Sequence, residues 1–225
     1  MIKNPLIWAK NYFNYGYRVK SYTLDHYVHP GTNKPLRVGF VDAFTYQPQV
    51  SPKKIFTSLS NAMESENFDI LLAPEFSFSN FKKYNNLSME HYRDELQRRT
   101  NGKDVLLIPG TFLSQYIDNS SYVFHNGEII FRTIKHVGPY ESFNIWGYEM
   151  GVEICNNSGI LNRQGIKDLD FLFLISCGLF HPRTDSLKDE GVALVNDSGR
   201  FQVIKKQDTG EDTLLYCRPR WFSNL

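Results

Sequence analysis

Five short apolar runs constrain this chain more than any other feature: Leu36 to Ala43 (LRVGFVDA), Asp69 to Ala73 (DILLA), Val105 to Phe112 (VLLIPGTF), Gly151 to Cys155 (GVEIC) and Phe171 to Ser176 (FLFLIS). Each has strand length and falls short of a packed helix, so each reads as a buried strand. Between the first two lies a helix signature. Ser51 stands as N-cap before Pro52 at the first helical position, and Ile55, Leu59 and Met63 recur every fourth residue with Phe56 and Ala62 beside them. A buried strand on each side of one helix argues for a parallel pair, and hence an α/β fold.

The remaining segments fit this scheme. Met89 to Thr100 reads as a helix, with Ser88 as candidate cap, Tyr92 and Leu96 facing inward and Gly102 as its stop. Tyr122 to His125 and Glu128 to Lys135 flank Asn126-Gly127, a strong hairpin signal that puts Lys135 at a strand end. Val192 to Asn196, Phe201 to Lys206 and Thr213 to Arg218 read as a terminal set of strands. Residues 1–35, rich in tyrosine and asparagine and without a clear period, are expected to form an extension packed on a single domain of residues 36–225.

Charge narrows the partners. With 25 basic and 24 acidic side chains the net charge is +1, so no field of one sign draws in nucleic acid or an anionic membrane. A small neutral substrate is expected. No apolar run approaches the roughly 20 residues of a membrane helix, and polar residues interrupt the N-terminal stretch, so no secretory signal is visible and a cytoplasmic location is the default expectation. The three cysteines, Cys155, Cys177 and Cys217, cannot all pair within one chain and form no Cys-x-x-Cys. No disulfide framework and no metal site are expected, and at least one thiol is free.

Chemistry concentrates at strand ends. Glu75 follows DILLAP, Lys135 follows EIIFRTI, and Cys155 follows GVEI. Catalytic groups of α/β sheets gather at the carboxyl ends of strands, so the three can share one crevice. There a carboxylate can take the thiol proton while an ammonium favours the thiolate. Attack on an amide or nitrile carbon would place charge that Lys135 and the backbone amide of Asn156 can stabilise. Glu75 would act as base, then acid, then base again. On residue type alone, a cysteine ending an apolar strand is more often a buried, inert residue.

The motifs also carry a resemblance. LRVGFVDA, DILLAPE, SSYVFHNGEIIFRTIKH, GVEICNN and DLDFLFLISCG are similar, in order and over about residues 36–180, to successive strands of the carbon-nitrogen hydrolase (nitrilase-like) family. The resemblance implies a four-layer α-β-β-α sandwich, with Glu75, Lys135 and Cys155 on the family's catalytic positions and no organic or metal cofactor. It further implies a homodimer or higher homo-oligomer and hydrolysis of a non-peptide carbon-nitrogen bond through a thioester. Passing that thioester to an amine, or a non-catalytic binding role, are the alternatives. The 20 residues from Lys135 to Cys155, the Asn156-Asn157 pair and the compressed segment after residue 180 depart from the family pattern and bear on substrate.

Other residues have two readings each. Glu141 is either the second glutamate that many members place after the lysine or a solvated loop acid. Phe76 is a pocket-mouth aromatic or a core residue, and Cys177 a pocket-wall or core residue beside the nucleophile strand. His181 and Arg183 either contact a substrate carboxylate or belong to a solvated loop.

Overall fold

The computed structural model describes residues 17–43, 51–65, 67–79, 86–113, 118–178, 181–208 and 212–218. Two mixed sheets form its centre. The first is built from β1 (Val19–His29), β2 (Lys34–Val41), β3 (Ile70–Leu72), β4 (Phe78–Ser79), β5 (Leu106–Ile108), β6 (Thr111–Leu113), β7 (Ser120–His125) and β8 (Glu128–Ile134). Its order is β1-β2-β3-β5-β7-β6-β4, with β8 paired to β7. The second runs β14 (Asp212–Arg218), β13 (Arg200–Lys206), β12 (Leu187–Asp197), β11 (Leu169–Ser176), β10 (Tyr148–Ile154), β9 (Ser142–Ile145).

The apolar runs become the interior because both faces of their strands are covered. Between the sheets, Leu36, Val38 and Phe40 of β2 and Ile70 and Leu72 of β3 meet Val152 and Ile154 of β10 and Phe171, Phe173 and Ile175 of β11. The alternate residues of the first sheet, Val41, Leu71 and Leu107, pack with Ile55, Leu59 and Met63 of α1 (Pro52–Ser65) and Leu96 of α2 (Asn86–Thr100). On the outer face of the second sheet, Leu172, Leu174, Ala193 and Val195 cluster with Leu161 of the single-turn helix α3 (Ile160–Arg163). The layer order is thus α-β-β-α, with the fourth layer reduced to that turn among the described residues. No helix among them is long and apolar enough to cross a membrane.

Strand direction decides where the site lies. β2, β3 and β5 are parallel, β7 runs against β5, and β8 runs against β7, so β3 and β8 end on the same side. In the second sheet β10, β11 and β12 are parallel. Buried Asn196 on β12 bridges the sheets, its Nδ2 donating to the carbonyls of Val41 (3.3 Å) and Leu72 (3.1 Å). This polar tie fixes how the sheets meet near their strand ends, where apolar packing alone would permit sliding.

Two expectations change. Residues 1–16 of the expected extension lie outside the described residues, but Val19–His29 is a sheet strand, paired antiparallel with β2 from Val19↔Val41 to His29↔Lys34. It showed no apolar period because only Leu24, Tyr27 and His29 along it are buried. The expected single strand over 105–112 is broken at Pro109-Gly110 into β5 and β6. Gly110 has φ +84°, and a Cβ there would lie 2.0 Å from the Pro74 carbonyl oxygen. Only glycine permits that approach, which seats the turn carrying Glu75.

Candidate active site

Glu75 sits in the turn after β3 and is fully buried. Its turn is held from several sides: Ser77 Oγ donates to the Pro74 carbonyl at 2.6 Å, and the Phe76 amide donates to Thr111 Oγ1 at 2.8 Å. Phe76 takes φ +60°, an uncommon conformation for a bulky residue, and leaves its ring 5.8 Å from the Lys135 ammonium. Lys135 follows β8, and its amide is anchored to the Asn119 carbonyl at 2.9 Å.

These two anchors aim the lysine at the glutamate. Lys135 Nζ donates to Glu75 Oε1 at 2.7 Å, and Asn119 Nδ2 donates to the same oxygen at 2.7 Å. Glu75 Oε2 is buried without a hydrogen-bond partner. A carboxylate oxygen from Glu75 and the sulfurs of Cys155 and Cys177 all lie within 4.8 Å of one another. One carboxylate oxygen is therefore committed to positioning, and the other remains available to exchange a proton.

Cys155 begins a 3-10 turn (Cys155–Asn157) directly after β10 and has φ +51°. The sharp change of direction turns the thiol out of the strand's pleat toward the crevice. Asn156 is exposed, and its amide belongs to the start of the turn, where helical N–H groups have no intrahelical acceptor. The following bend is braced by Glu153, buried on β10 two residues before Cys155, which accepts from the amides of Gly159 (2.7 Å) and Leu161 (2.9 Å).

The electrostatics favour a thiolate. The Cys177 thiol, with help from Ser176 and the Lys135 ammonium, pulls Cys155 down to about 4 against the opposing effect of burial. Burial pushes the Glu75 carboxyl up, with the Cys155 charge adding to that push and the Lys135 and Asn119 hydrogen bonds opposing it. For Lys135, burial works against the charge but the hydrogen bond and charge of Glu75 win, leaving it raised. The Cys177 thiol is pushed up by its interaction with Cys155, by burial and by Glu75. A Cys155 thiolate beside a carboxyl able to take up its proton is the arrangement that nucleophilic attack requires.

Comparison with known proteins bears on the fold. No protein-family model matches the chain, and no curated relative matches it. Solved structures do. A mutant of the Nesterenkonia sp. AN1 amidase from the nitrilase superfamily superposes with a TM-score of 0.60 at 10% identity, covering 82% of this chain and 88% of that one. A carbon-nitrogen hydrolase from Helicobacter pylori G27 gives 0.54 at 15%, covering 81% and 85%. The chain has the carbon-nitrogen hydrolase fold. The same fold appears in the glutamine-dependent NAD+ synthetase of Acinetobacter baumannii, with a TM-score of 0.51 at 13% identity, covering 89% of this chain and 44% of that larger one. Another mutant of the Nesterenkonia amidase shows covalent addition of the acetamide moiety of fluoroacetamide at its active-site cysteine.

Within this carbon-nitrogen hydrolase fold the other expected residues divide. Cys177 directly follows β11 and belongs to the cluster. Glu141 is exposed in the segment between β8 and β9, and Lys135 pairs with Glu75. His181 and Arg183 are exposed, but the Arg183 amide donates to Ser158 Oγ at 2.8 Å, so this segment borders the bend after Cys155. Sequence reasoning missed Asn119 and Glu153. Asn119 is an ordinary loop residue until β7 and β8 pair, and Glu153 is a charge inside an apolar strand, which was itself a signal of a backbone partner.

Proposed function

We propose that this chain hydrolyses a non-peptide carbon-nitrogen bond, of the amide type, through a thioester on Cys155. The observation that carries the reading is the Glu75 carboxylate: one oxygen is held by Lys135 and Asn119, the other is buried and unpartnered, and the group lies within 4.8 Å of both the Cys155 and Cys177 sulfurs. The Cys155 thiolate attacks the carbonyl carbon, and the developing oxyanion is met by the Lys135 ammonium and the Asn156 amide. The tetrahedral intermediate collapses as Glu75 gives a proton to the departing amine. Water then enters, Glu75 takes its proton, the thioester carbon is attacked, and the acid leaves with the thiolate restored. No step draws on a metal or organic cofactor.

The butyramide complex and the fluoroacetamide adduct of Nesterenkonia amidase mutants make small amides the first substrates to try. Short amides, ureido acids and nitriles are screened for ammonia release, with hydroxylamine added in parallel to reveal acyl transfer to a nitrogen acceptor. Fluoroacetamide labelling followed by peptide mapping tests the mechanism directly. Cys155 is expected to label well ahead of Cys177 and Cys217, while Glu75→Ala is expected to abolish ammonia release from amides. Equal labelling of all three cysteines, with no ammonia release that Glu75→Ala lowers, sinks the enzymatic reading in favour of a binding role.

A further inference from the structure

The proposed mechanism uses one thiol of the cluster and leaves a second beside it. Cys155 and Cys177 directly follow β10 and β11, which are parallel neighbours in register at Ile154↔Ile175. The two thiols therefore stand at adjacent strand ends, one residue past Ile154 and two past Ile175. Neighbouring strands about 4.8 Å apart bring such positions into the Cα range of about 4.4–6.8 Å that a disulfide bridges. The sulfurs already lie within 4.8 Å of each other and of a Glu75 carboxylate oxygen. Both cysteines are free and partly exposed, so a small oxidant has access.

We propose that Cys155 and Cys177 form a reversible, peroxide-driven disulfide that protects the nucleophile from irreversible oxidation. The chemistry is a two-electron oxidation in two steps. The Cys155 thiolate attacks one oxygen of a hydroperoxide, the O–O bond breaks, and Cys155 becomes a sulfenic acid as hydroxide or alkoxide leaves and takes the proton that Glu75 had received from Cys155, which frees the carboxylate. The Cys177 thiol then passes its proton to Glu75 Oε2 and attacks the Cys155 sulfur. The S–O bond breaks, the oxygen leaves as water with its proton restored from Glu75, and the S–S bond forms. Dithiol reductants reverse it by thiol-disulfide exchange.

The placement supports this order. Cys155 carries the charge and reacts first, while Cys177, held protonated beside it, is the resolving thiol. Cys217 lies on β14, four strands from β10 in the order of the second sheet, and takes no part.

The inference rests on the thiolate assigned to Cys155 under the proposed function, and its test reads peptide mass instead of turnover. The full chain is treated with a slight molar excess of hydrogen peroxide, quenched in acid, capped with N-ethylmaleimide and mapped without reduction. The expected result is a Cys155–Cys177 cross-linked peptide, with loss of two of the three caps and their return after dithiothreitol. Cys177→Ser, or Cys177→Ala if the serine variant folds poorly, is expected to carry Cys155 on to sulfinic acid under the same dose. A Cys155 that stays reduced, that bonds to Cys217, or that reaches sulfinic acid equally fast with and without Cys177 overturns the proposal. Amide hydrolysis can fail while the cross-link forms, and the reverse, so the two readings are separable.

Discussion

Lys135 Nζ lies 2.7 Å from Glu75 Oε1 across a pair of strand ends separated by 60 residues in sequence, and both groups are largely shielded from water. In such surroundings the pair is more than an exposed ion pair. In the proposed mechanism the ammonium both orients the carboxylate and meets the developing oxyanion. Removing the lysine therefore removes two functions at once. Lys135→Ala is expected to lower Cys155 acylation by about 10²–10³-fold, the scale of losing one preorganised oxyanion donor. Burst kinetics with an activated amide or ester measure it; a loss below tenfold would place the lysine outside the reacting centre.

Asn119 donates to the same Glu75 oxygen at 2.7 Å, and its effect is expected to be smaller. Asn119→Ala removes one hydrogen bond to a charged group, worth about 1.5–3 kcal/mol. The carboxylate then has one fixed donor and can rotate. Slower acylation is expected, with unchanged far-ultraviolet dichroism, and Asn119→Asp should be worse than alanine because it sets two carboxylates together.

The pH dependence of Cys155 labelling follows from a thiol held down at about 4 by Cys177, Ser176 and Lys135. A lowered value means the reactive thiolate persists as pH falls and is lost only through that value, whereas an ordinary thiol loses it below about 8.5. Iodoacetamide labelling should thus stay level from neutral pH to about 5 and fall below that. Cys177→Ala removes the largest stabilising influence, so the midpoint should move upward. A wild-type midpoint near that of Cys217 contradicts the arrangement.

Glu153 supports the bend after Cys155, and burial pushes its carboxyl up to about 7 in spite of two backbone donors. The raised value means that the folded state holds the proton more tightly than the unfolded chain. This contribution to stability is full below the unfolded carboxyl value of about 4.3 and is lost as pH rises through about 7. Glu153→Gln puts an amide donor against one of the backbone N–H groups, at a cost of about 1–3 kcal/mol. Thermal unfolding across pH 4 to 8 should show a lower Tm and a flatter dependence in the variant.

Asp104 makes an independent control at the opposite ends of the strands. It joins His29 (3.1 Å), His125 (2.9 Å) and the Trp146 indole (2.9 Å), tying the first sheet to the β9–β10 turn. The carboxylate is 56% exposed, so water and salt weaken each link. Asp104→Ala should cost about 1 kcal/mol in urea unfolding while leaving Cys155 labelling unaltered.

The sequence by itself determined the buried strands, the first helix and the Asn126-Gly127 hairpin, whose two residues take φ 48° and 82° as the tight turn requires. These are local matters of apolar run length, capping and turn chemistry. It also set Glu75, Lys135 and Cys155 at strand ends. Strand β1 stayed hidden because most of its side chains remain in contact with solvent, and the break at Gly110 because its cause is the Pro74 carbonyl, distant in the chain. Only the tertiary structure decided that the three strand ends meet. That convergence depends on strand direction in two sheets, on the core between them and on the Asn196 tie, none of which has a local signature. The second thiol became chemically meaningful in the same way: Cys177 is a residue after an apolar run until parallel pairing of β10 and β11 places it beside Cys155.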